Sequence, residues 1–375
     1  MQILVNTRLL IPERLDGMGW FCYQTLKRIT RSHPEVHFVF VFDRTPDHNL
    51  DFPVNVTPIV ALPQARHPIL YYYWLQFSIR PLLQKMKPDL FLSPDGFLPL
   101  GKFQTPLLPV IHDLNFEHFP KDIPYLTRHY YQHFFPKFAK NASRICTVSE
   151  FSKDDISRRY KIGKEKIDVV YNGINEHFKP LTDFEKNSVR IHITKGDPYF
   201  IFVGSLHPRK NLNRLVKAFG LFRKETGSKV KLVLAGKNYW GTHELQVCIR
   251  ENDLEGEVVF TGRIDNKELG DLLGAAIALV FVPYFEGFGI PMIEAMEAGV
   301  PIIAANNSSL PEIGEDAAYY CDPFQEESIK LAMKAVFENP ALAQNLVEKG
   351  NLQKNKFSWD RSANLLWASM ISTIN

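Results

Sequence analysis

Short apolar segments alternate with longer amphipathic segments along nearly the whole chain, and this alternation restricts the possible folds more than any other feature. Strands that alternate with helices of roughly 10–15 residues are typical of parallel, doubly wound sheets. We therefore predict an α/β protein. Its predicted strands occupy residues 2–6, 36–42, 89–93, 107–113, 144–149, 168–173, 199–205, 231–236, 258–262, 278–282, 301–306 and 317–322.

The length of the chain indicates two domains, because 375 residues are many for a single hydrophobic core. We place the first domain at 1–180, a polar and aperiodic linker at 181–198, and the second domain at 199–356. The last segment, 357–375, is predicted to be a helix that crosses back to the first domain. Ligands bind at the carboxyl ends of the strands in such sheets, so we expect a cleft between two facing domains.

Composition excludes several classes of protein. A net charge of +3 is too small to indicate nucleic-acid binding. The four cysteines are scattered without a CxxC pair, which indicates reduced thiols in a cytosol-like compartment. No apolar run approaches the ~18 residues that a membrane helix needs, and the N-terminus is too short and too charged for a signal peptide. We therefore expect a cytoplasmic protein.

The segment EGFGIPMIEAMEAG (286–299) gives the strongest indication of a ligand site. The apolar run at 278–284 predicts a buried strand, and the glycines that follow predict a loop whose backbone N–H groups can approach a ligand. A helix starting near Pro291 would add the partial positive charge of its N-terminus. Glu286 and Glu294 flank this point, and carboxylates accept hydroxyl hydrogen bonds, so a phosphate with sugars on both sides fits. An ordinary α/β loop with surface glutamates is the alternative.

The segment GSLHPRKN (204–211) indicates a second contact with phosphate. Gly204 ends a predicted strand, and Arg209 and Lys210 precede a helix that begins near Asn211. Cations at a helix N-terminus oppose the helix dipole and usually need a compensating anion. Arginine can bind phosphate through two parallel hydrogen bonds and lysine acts as a point charge, so the pair is predicted to face a diphosphate. A solvated pair is the alternative.

Two further candidates lie in the first domain. His112 ends a predicted strand and could orient a sugar hydroxyl or carry a proton, although a structural histidine fits equally well. Gly17, Gly19 and Cys22 form a near match to the dinucleotide fingerprint, and Asp43 closes the second strand at about the expected distance. An NAD-dependent oxidoreductase is therefore an alternative. The missing third glycine and the two unexplained phosphate-type segments count against it.

Taken together, these segments resemble the retaining glycosyltransferases of family 4, whose GT-B architecture has two Rossmann-like domains facing across a cleft. The resemblance runs nearly end to end and is closest to mannosyltransferase-like members. Its motifs, in order, are DGMGW (16–20), HD (112–113), TVSEFSKDDI (147–156), VVYNGI (169–174), VGSLHPRKNL (203–212), FTGRI (260–264), EGFGIPMIEAMEAGVPIIAANNSSLPE (286–312) and FSW (357–359).

The resemblance implies a role for each matching residue of the second domain. Glu286 would hold hydroxyls of the transferred sugar, and Glu294 would hold the ribose. The backbone of Phe288, Gly289 and Ile290 would reach the phosphates.

The remaining matches in this domain complete the implied donor site. Arg209 and Lys210 would neutralise the diphosphate, with Gly204 and Ser205 at the same loop. Arg263 and its neighbour Ile264 would lie by the base.

In the first domain, the resemblance implies that His112 contacts the sugar near the reacting carbon. Gly17 and Gly19 would bring backbone near the diphosphate. The motif FSW would mark the start of the helix that crosses back.

The implied reaction moves a sugar from GDP-mannose or a UDP-sugar to an acceptor hydroxyl, with retained anomeric configuration. A growing glycan or a lipid-linked saccharide is the expected acceptor, and His112, Arg209, Lys210 and Glu286 are the catalytic candidates. The sequence has no D-x-D, so we expect no metal and no cofactor. A non-catalytic sugar-nucleotide-binding protein is a further alternative, which the joint presence of these residues and Glu294 opposes.

Two aromatic segments, 67–81 and 128–138, mix aromatic side chains with a few cations. One interpretation is core and surface helices. The other is an acceptor groove, or a face that makes peripheral contact with a membrane and a lipid-linked acceptor.

Overall fold

The computed structural model describes residues 1–11, 15–46, 50–237 and 243–375, so the predicted loop from Asn6 to Gly17 lies partly outside the described residues. The chain falls into two compact units. The first comprises Met1–Gly173 and Ser358–Asn375, and the second comprises Ile174–Phe357. Each unit is built around a parallel sheet, as the alternation of the sequence predicts.

The first unit contains a five-stranded sheet in the order β3-β2-β1-β4-β5 and a separate pair, β6-β7. Its strands are β1 (Gln2–Asn6), β2 (His37–Phe42), β3 (Val56–Val60), β4 (Leu90–Ser93), β5 (Leu107–Pro109), β6 (Ile145–Thr147) and β7 (Ile167–Val169). Its helices are α1 (Gly17–Ser32), α2 (Pro68–Trp74), α3 (Arg80–Met86), α4 (Asn115–His118), α5 (Tyr125–Asn141), α6 (Glu150–Tyr160) and α15 (Trp359–Ile374), with a π-helical turn, Leu75–Ile79, between α2 and α3. β1 lies between β2 and β4, and its residues from Ile3 onward are buried.

Strand β3 is the element of this sheet that the sequence analysis missed. It lies at the sheet edge beside β2, its side chains are mostly exposed, and it contains Pro58. Proline cannot donate a backbone hydrogen bond and is tolerated in edge strands. Pro58 interrupts a run of Val, Thr and Ile that would otherwise indicate a strand, so the proline argues against a strand in the sequence.

Helix α15 packs within the first unit against α1. Arg28 Nε donates to Asp360 Oδ1 at 2.7 Å, and the ring of His33 stacks on Trp367 with centroids 3.8 Å apart. Ser358 caps the helix by accepting from the backbone N–H of Arg361 at 3.2 Å. The structure thus assigns Ser358–Asn375 to the first unit, and Phe357, the first residue of FSW, to the second.

The second unit contains a six-stranded parallel sheet in the order β10-β9-β8-β11-β12-β13. Its strands are β8 (Tyr199–Val203), β9 (Lys231–Ala235), β10 (Val258–Gly262), β11 (Leu279–Phe281), β12 (Ile302–Ala305) and β13 (Ala318–Cys321). Its helices are α7 (Asp183–Thr194), α8 (Leu212–Thr226), α9 (His243–Glu251), α10 (Asn266–Gly274), α11 (Ile290–Glu297), α12 (Leu310–Gly314), α13 (Glu326–Glu338) and α14 (Pro340–Gln353).

Helix α7 occupies most of 181–198, the segment predicted to be a linker. Thr182 and Glu185 form a capping box, in which the Thr182 hydroxyl accepts from the Glu185 N–H and the Glu185 carboxylate accepts from the Thr182 N–H. Lys195 closes the helix in the left-handed conformation. Local capping therefore specifies a helix although the segment lacks a strong apolar stripe, and the helix belongs to the second unit.

The strand order places two loops of each unit beside a topological switch point. The chain moves outward in one direction from β1 and in the other from β4, and the same reversal occurs between β8 and β11. In open parallel sheets, ligands bind in the crevice at such a point, beyond the carboxyl ends of the strands. The loops after β8 and β11 are the segments that the sequence analysis singled out.

The two aromatic segments divide between core and surface. Trp74 is buried and its indole Nε1 donates to the Ala61 carbonyl at 2.6 Å, and Phe138 is buried in the same core. Tyr73 and Phe77 are exposed. Within the described ranges, none of the helices has both the length and the apolarity needed to cross a membrane.

Candidate functional site

The loop after β8 depends on glycine at two adjacent strands. Gly204 has φ +142°, and its N–H donates to the Ala235 carbonyl at 2.9 Å. A Cβ on Gly236, at the end of β9, would lie 1.9 Å from the Gly204 carbonyl oxygen. The backbones of Gly204 and Gly236 therefore lie closer together than a side chain on Gly236 would allow. The loop after β8 passes directly over the end of β9.

Three of the predicted site residues contact one another in this crevice. Arg209 Nη1 donates to Glu286 Oε1 at 2.6 Å and to the Phe285 carbonyl at 3.1 Å. Lys210 Nζ donates to the same Oε1 of Glu286 and lies 5.0 Å from the centroid of the Phe281 ring. Lys210 and Glu286 are buried. The structure thus brings the Arg-Lys pair and the first glutamate together as one ion cluster of net charge +1.

This cluster gives the Arg-Lys pair an anion from the protein itself. The sequence predicts that the pair faces a diphosphate, and that contact stays a prediction. Arg209 and Lys210 lie on a short 3₁₀ turn, Pro208–Lys210, before α8, and both bind the carboxylate of Glu286. A glutamate 76 residues further along the chain from Lys210 cannot be assigned as a partner by spacing alone.

The cluster controls the ionisation of Glu286. Burial alone would raise the pKa of its carboxyl group, but the charges and hydrogen bonds of Arg209 and Lys210 outweigh burial and hold the pKa below its ordinary value. Glu286 is therefore a carboxylate at neutral pH.

The loop after β12 fixes the backbone around Glu286. Ser309 Oγ donates to the carbonyls of Glu286 and Phe288, both at 3.0 Å, and Ser308 Oγ accepts from the Glu286 N–H at 3.2 Å. Asn307 Nδ2 donates to the Tyr284 carbonyl at 3.0 Å. The predicted site does not include these residues. In the sequence, the run of Asn and Ser directly after a predicted strand is the feature that indicates them.

Asn211 performs a similar function between the loops after β8 and β11. It is buried with φ +62°, and its Nδ2 donates to the carbonyls of Val282 at 3.0 Å and Pro323 at 2.7 Å. Arg214 Nη1 donates to Asn211 Oδ1 at 3.0 Å and to the Tyr284 hydroxyl at 2.7 Å. Asn211 therefore holds the end of the Arg-Lys turn against the sheet instead of capping α8 with its side chain.

The start of α11 requires glycine. Gly289 has φ +101°, and a Cβ there would lie 2.6 Å from Leu310 Cδ2. Helix α11 begins at Ile290, one residue before Pro291, and has no acidic residue in its first turn. Its N-terminal N–H groups and their partial positive charge are therefore not neutralised by a side chain of that turn.

Glu294 lies on α11 in an environment opposite to that of Glu286. It is buried, and among the described residues its carboxyl group has no hydrogen-bond or ion-pair partner. Loss of hydration on burial raises the pKa of Glu294 to about 8. A buried carboxyl group without a partner favours a ligand that supplies hydrogen-bond donors.

The remaining predicted residues of the second unit lie on nearby loops. Ser205 directly follows Gly204. Arg263 is exposed and Ile264 half-buried, in the loop after β10, which β9 separates from β8. Their role beside a base stays a prediction. Phe288 is buried with its ring at 89° to that of Phe357, so its side chain is structural and only its backbone could reach a ligand.

His112 of the first unit is held in a defined tautomer. Its Nε2–H donates to the Pro94 carbonyl at 2.9 Å, and its ring packs edge-on against Phe21. Burial lowers the pKa of His112, although the Pro94 carbonyl and nearby carboxylates oppose this shift. A neutral ring with hydrogen on Nε2 leaves Nδ1 as an acceptor, which suits the orientation of a hydroxyl group.

The glycines near the start of α1 do not form a dinucleotide fingerprint. Gly17 is the first residue of α1, and the Gly19 N–H donates to the capping Asp16 at 3.0 Å, so the Gly19 amide does not point to a ligand in this structure. Asp43, which would have to hold a ribose, is buried and binds Arg44 through two hydrogen bonds of 2.7 and 2.8 Å. The geometry opposes the NAD-dependent alternative.

The pKa of Glu294 gives a testable change of stability with pH. The pKa of Glu294 in the folded state, about 8, lies above its pKa in the unfolded state. The contribution of this carboxyl group to the free energy of unfolding is therefore complete below the unfolded-state pKa and is lost as pH rises through about 8. Glu294→Gln should therefore stabilise the protein relative to wild type by an amount that grows from about pH 5 to about pH 8, by at most about 1.4 kcal/mol per pH unit. Urea unfolding at several pH values measures this difference.

The matched control is Glu297→Gln on the same helix, where the carboxylate is half-buried and lies 3.5 Å from Lys354 Nζ. If the difference in free energy of unfolding between Glu294→Gln and wild type stayed constant across this pH range, the raised pKa of Glu294 would be contradicted.

Among curated proteins, the chain is similar to two bacterial mannosyltransferases. It is 26% identical over 284 residues to O-antigen chain mannosyltransferase B of Escherichia coli, covering 74% of this chain and 73% of that one. It is 28% identical over 289 residues to O-antigen chain mannosyltransferase RfbU of Salmonella typhimurium, covering 76% of each.

Solved structures share the fold at low sequence identity. Sucrose-phosphate synthase from Thermosynechococcus elongatus superimposes with a TM-score of 0.80 at 18% identity, over 99% of both chains. Anabaena Alr3699/HepE, solved in complex with UDP and glucose, gives a TM-score of 0.77 at 16% identity, over 99% of this chain and 100% of that one. The fold is therefore that of the GT-B glycosyltransferases.

Two family matches together span most of the chain. Residues 15–178 match "Glycosyltransferase Family 4" and residues 183–353 match "Glycosyl transferases group 1". The chain is thus an enzyme of the transferase class, and it belongs to the group 1, family 4 glycosyltransferases.

Proposed function

We propose that this glycosyltransferase moves a sugar from a nucleotide-diphosphate sugar to a glycan hydroxyl, with retained anomeric configuration and without a metal ion. The observation that supports this proposal most strongly is the ion cluster of Arg209, Lys210 and Glu286 in the loops before α8 and α11, with the buried Glu294 on α11. Cations, a helix N-terminus and two carboxylates on neighbouring segments match the parts of a sugar nucleotide.

Mannose is the proposed transferred sugar, because the two curated relatives are named as O-antigen chain mannosyltransferases. GDP-mannose is accordingly the first donor to test, and UDP-sugars are the second, since the Anabaena structure contains UDP. A growing glycan or a lipid-linked saccharide is the proposed acceptor.

Each group of the donor has a proposed position in the second unit. The diphosphate would lie on Arg209 and Lys210 and on the backbone N–H groups at the start of α11, where the dipole favours an anion. Glu294 would become ionised and accept both ribose hydroxyls. Glu286 would accept hydroxyl groups of the transferred sugar.

The same arrangement explains how the site could accelerate transfer. The diphosphate gains negative charge as the bond to the sugar breaks, so fixed positive groups are stronger partners of the transition state than of the ground state. Arg209, Lys210 and the α11 dipole supply such groups without a divalent ion. Within the described residues, no three His, Cys, Asp or Glu side chains cluster in a way that could hold a metal.

Retention is proposed to follow a front-face route, in which a donor phosphate oxygen takes the proton of the acceptor hydroxyl. Glu286 is assigned to hydroxyl groups of the transferred sugar, so it is not the proposed nucleophile. His112 Nδ1 would orient a sugar hydroxyl near the reacting carbon. A covalent sugar trapped on Glu286 would contradict this route.

The proposed location is the cytoplasm, with peripheral contact at the inner face of the membrane. The aromatic-basic surface consists of 67–81 and 128–138, which contact each other through Tyr71 with Tyr130 and Tyr72 with Phe134. These segments contain three Lys and Arg residues and no Asp or Glu. Exposed apolar side chains next to cations favour an anionic lipid surface, where a lipid-linked acceptor would be found.

Loss of either cation should slow transfer. Arg209→Ala and Lys210→Ala should each lower turnover by about 10²–10³, or about 2.7–4 kcal/mol, because each removes a charge that stabilises the leaving diphosphate. Donor turnover with GDP-mannose and UDP-sugars measures the effect. Lys217→Ala, which changes an exposed lysine of α8, is the matched control and should be unaffected. Turnover near wild type in both variants would contradict the proposed site.

Activity should survive chelation of divalent ions. The leaving diphosphate is neutralised by fixed protein charges, so turnover measured after EDTA treatment and dialysis should match that of untreated protein. If EDTA lowered the rate and Mg²⁺ or Mn²⁺ restored it, the charges of the protein would be insufficient to neutralise the leaving diphosphate.

The aromatic-basic surface should bind anionic vesicles. In flotation assays the wild type should associate with vesicles of phosphatidylglycerol and phosphatidylcholine but not with phosphatidylcholine alone. Tyr73→Ala with Phe77→Ala should reduce association, because both side chains are exposed, at 52% and 59%.

The control for this assay is Phe184→Ala with Ile191→Ala, which removes even more exposed apolar side chains, at 84% and 67%, from α7 of the second unit. Equal flotation of the two double variants would exclude a specific role for the aromatic-basic surface.

A further inference from the structure

Glu286 uses one carboxylate oxygen for both cations of the site. Arg209 Nη1 donates to Oε1 at 2.6 Å, and Lys210 Nζ donates to the same atom. All three side chains are at least four-fifths buried, so water screens their interaction only weakly. Any anion that binds this pair of cations therefore competes with a carboxylate that is already in place.

The backbone of Glu286 is held independently of its side chain. Ser308 and Ser309 bind its N–H and its carbonyl at 3.2 and 3.0 Å. The carboxylate can therefore leave the cations by side-chain rotation alone, without movement of the loop. Such rotation needs other hydrogen-bond donors for the carboxylate, because an unpaired buried charge is costly.

We propose that Glu286 is an exchangeable counter-ion that lets the site discriminate between the sugar nucleotide and the nucleoside diphosphate. Without a donor, Glu286 occupies Arg209 and Lys210. Hydroxyl groups of the sugar draw the carboxylate away, and the cations then bind the diphosphate fully. This inference rests on the proposed function of the site and adds a mechanism for product release.

The order of events during turnover follows from this exchange. Once the sugar has left for the acceptor, Glu286 loses its hydroxyl partners and returns to the cations. The nucleoside diphosphate then has to share Arg209 and Lys210 with a carboxylate, so its affinity falls. A reciprocal coupling of this kind means that sugar and diphosphate each strengthen the binding of the other.

The direct test is calorimetric binding of inorganic pyrophosphate to wild type, Glu286→Gln and Glu297→Gln. Glutamine keeps the size of the side chain but removes the competing charge, so Glu286→Gln should bind pyrophosphate more tightly by about tenfold or more. Glu297→Gln removes a charge from α11 without touching the cations and should bind like wild type. Thermal unfolding of each variant verifies that it is folded.

A second measurement compares GDP with GDP-mannose and UDP with UDP-glucose, in the absence of acceptor. The wild type should bind the sugar nucleotide more tightly than the matching diphosphate, whereas Glu286→Gln should lose this preference. If Glu286→Gln does not fold, wild type alone suffices, since added mannose or glucose should tighten pyrophosphate binding.

The outcomes separate this inference from the proposed function. If wild type binds a nucleotide but Glu286→Gln binds pyrophosphate equally or more weakly, or if the sugars have no effect on wild type, the counter-ion role is wrong and the donor site stands. If folded wild type binds neither pyrophosphate, GDP nor UDP, both proposals are wrong.

Discussion

The buried ion cluster of Arg209, Lys210 and Glu286 is the interaction on which the second unit's site depends. Two cations that are largely removed from water need an anion nearby, and the carboxylate supplies it across the switch point between β8 and β11. The cluster thereby joins the loops after these two strands. Asn211 and Ser309 add hydrogen bonds that fix the backbone on each side. The backbone of these loops is thus fixed before any ligand arrives.

Two glutamates on one short segment have opposite ionisation because their neighbours differ. Glu286 lies against two cations and stays ionised, while burial raises the pKa of Glu294 to about 8. Titratable groups with opposite shifts in one crevice often mark a functional site. In the proposed assignment the ionised group meets the sugar and the second group ionises only when ribose hydroxyls reach it.

The sequence predicted the α/β class and the central strands because buried parallel strands are continuous apolar runs. It missed β3, whose side chains are mostly exposed, and it took α7 for a linker, since a capping box specifies that helix more than its apolar pattern does. It identified the site residues by motif but not their contacts. The Arg209–Glu286 pair and the hydrogen bonds from Ser308 and Ser309 join residues distant in the chain, and only the folded sheet brings them together.

The most direct test of the account is a crystal structure of the protein soaked with GDP-mannose or a UDP-sugar. The account predicts the diphosphate on Arg209 and Lys210 at the start of α11, the ribose hydroxyls on Glu294, and the Glu286 carboxylate on the sugar. A donor bound with its diphosphate away from these cations, or with a metal ion between phosphate and protein, would contradict it.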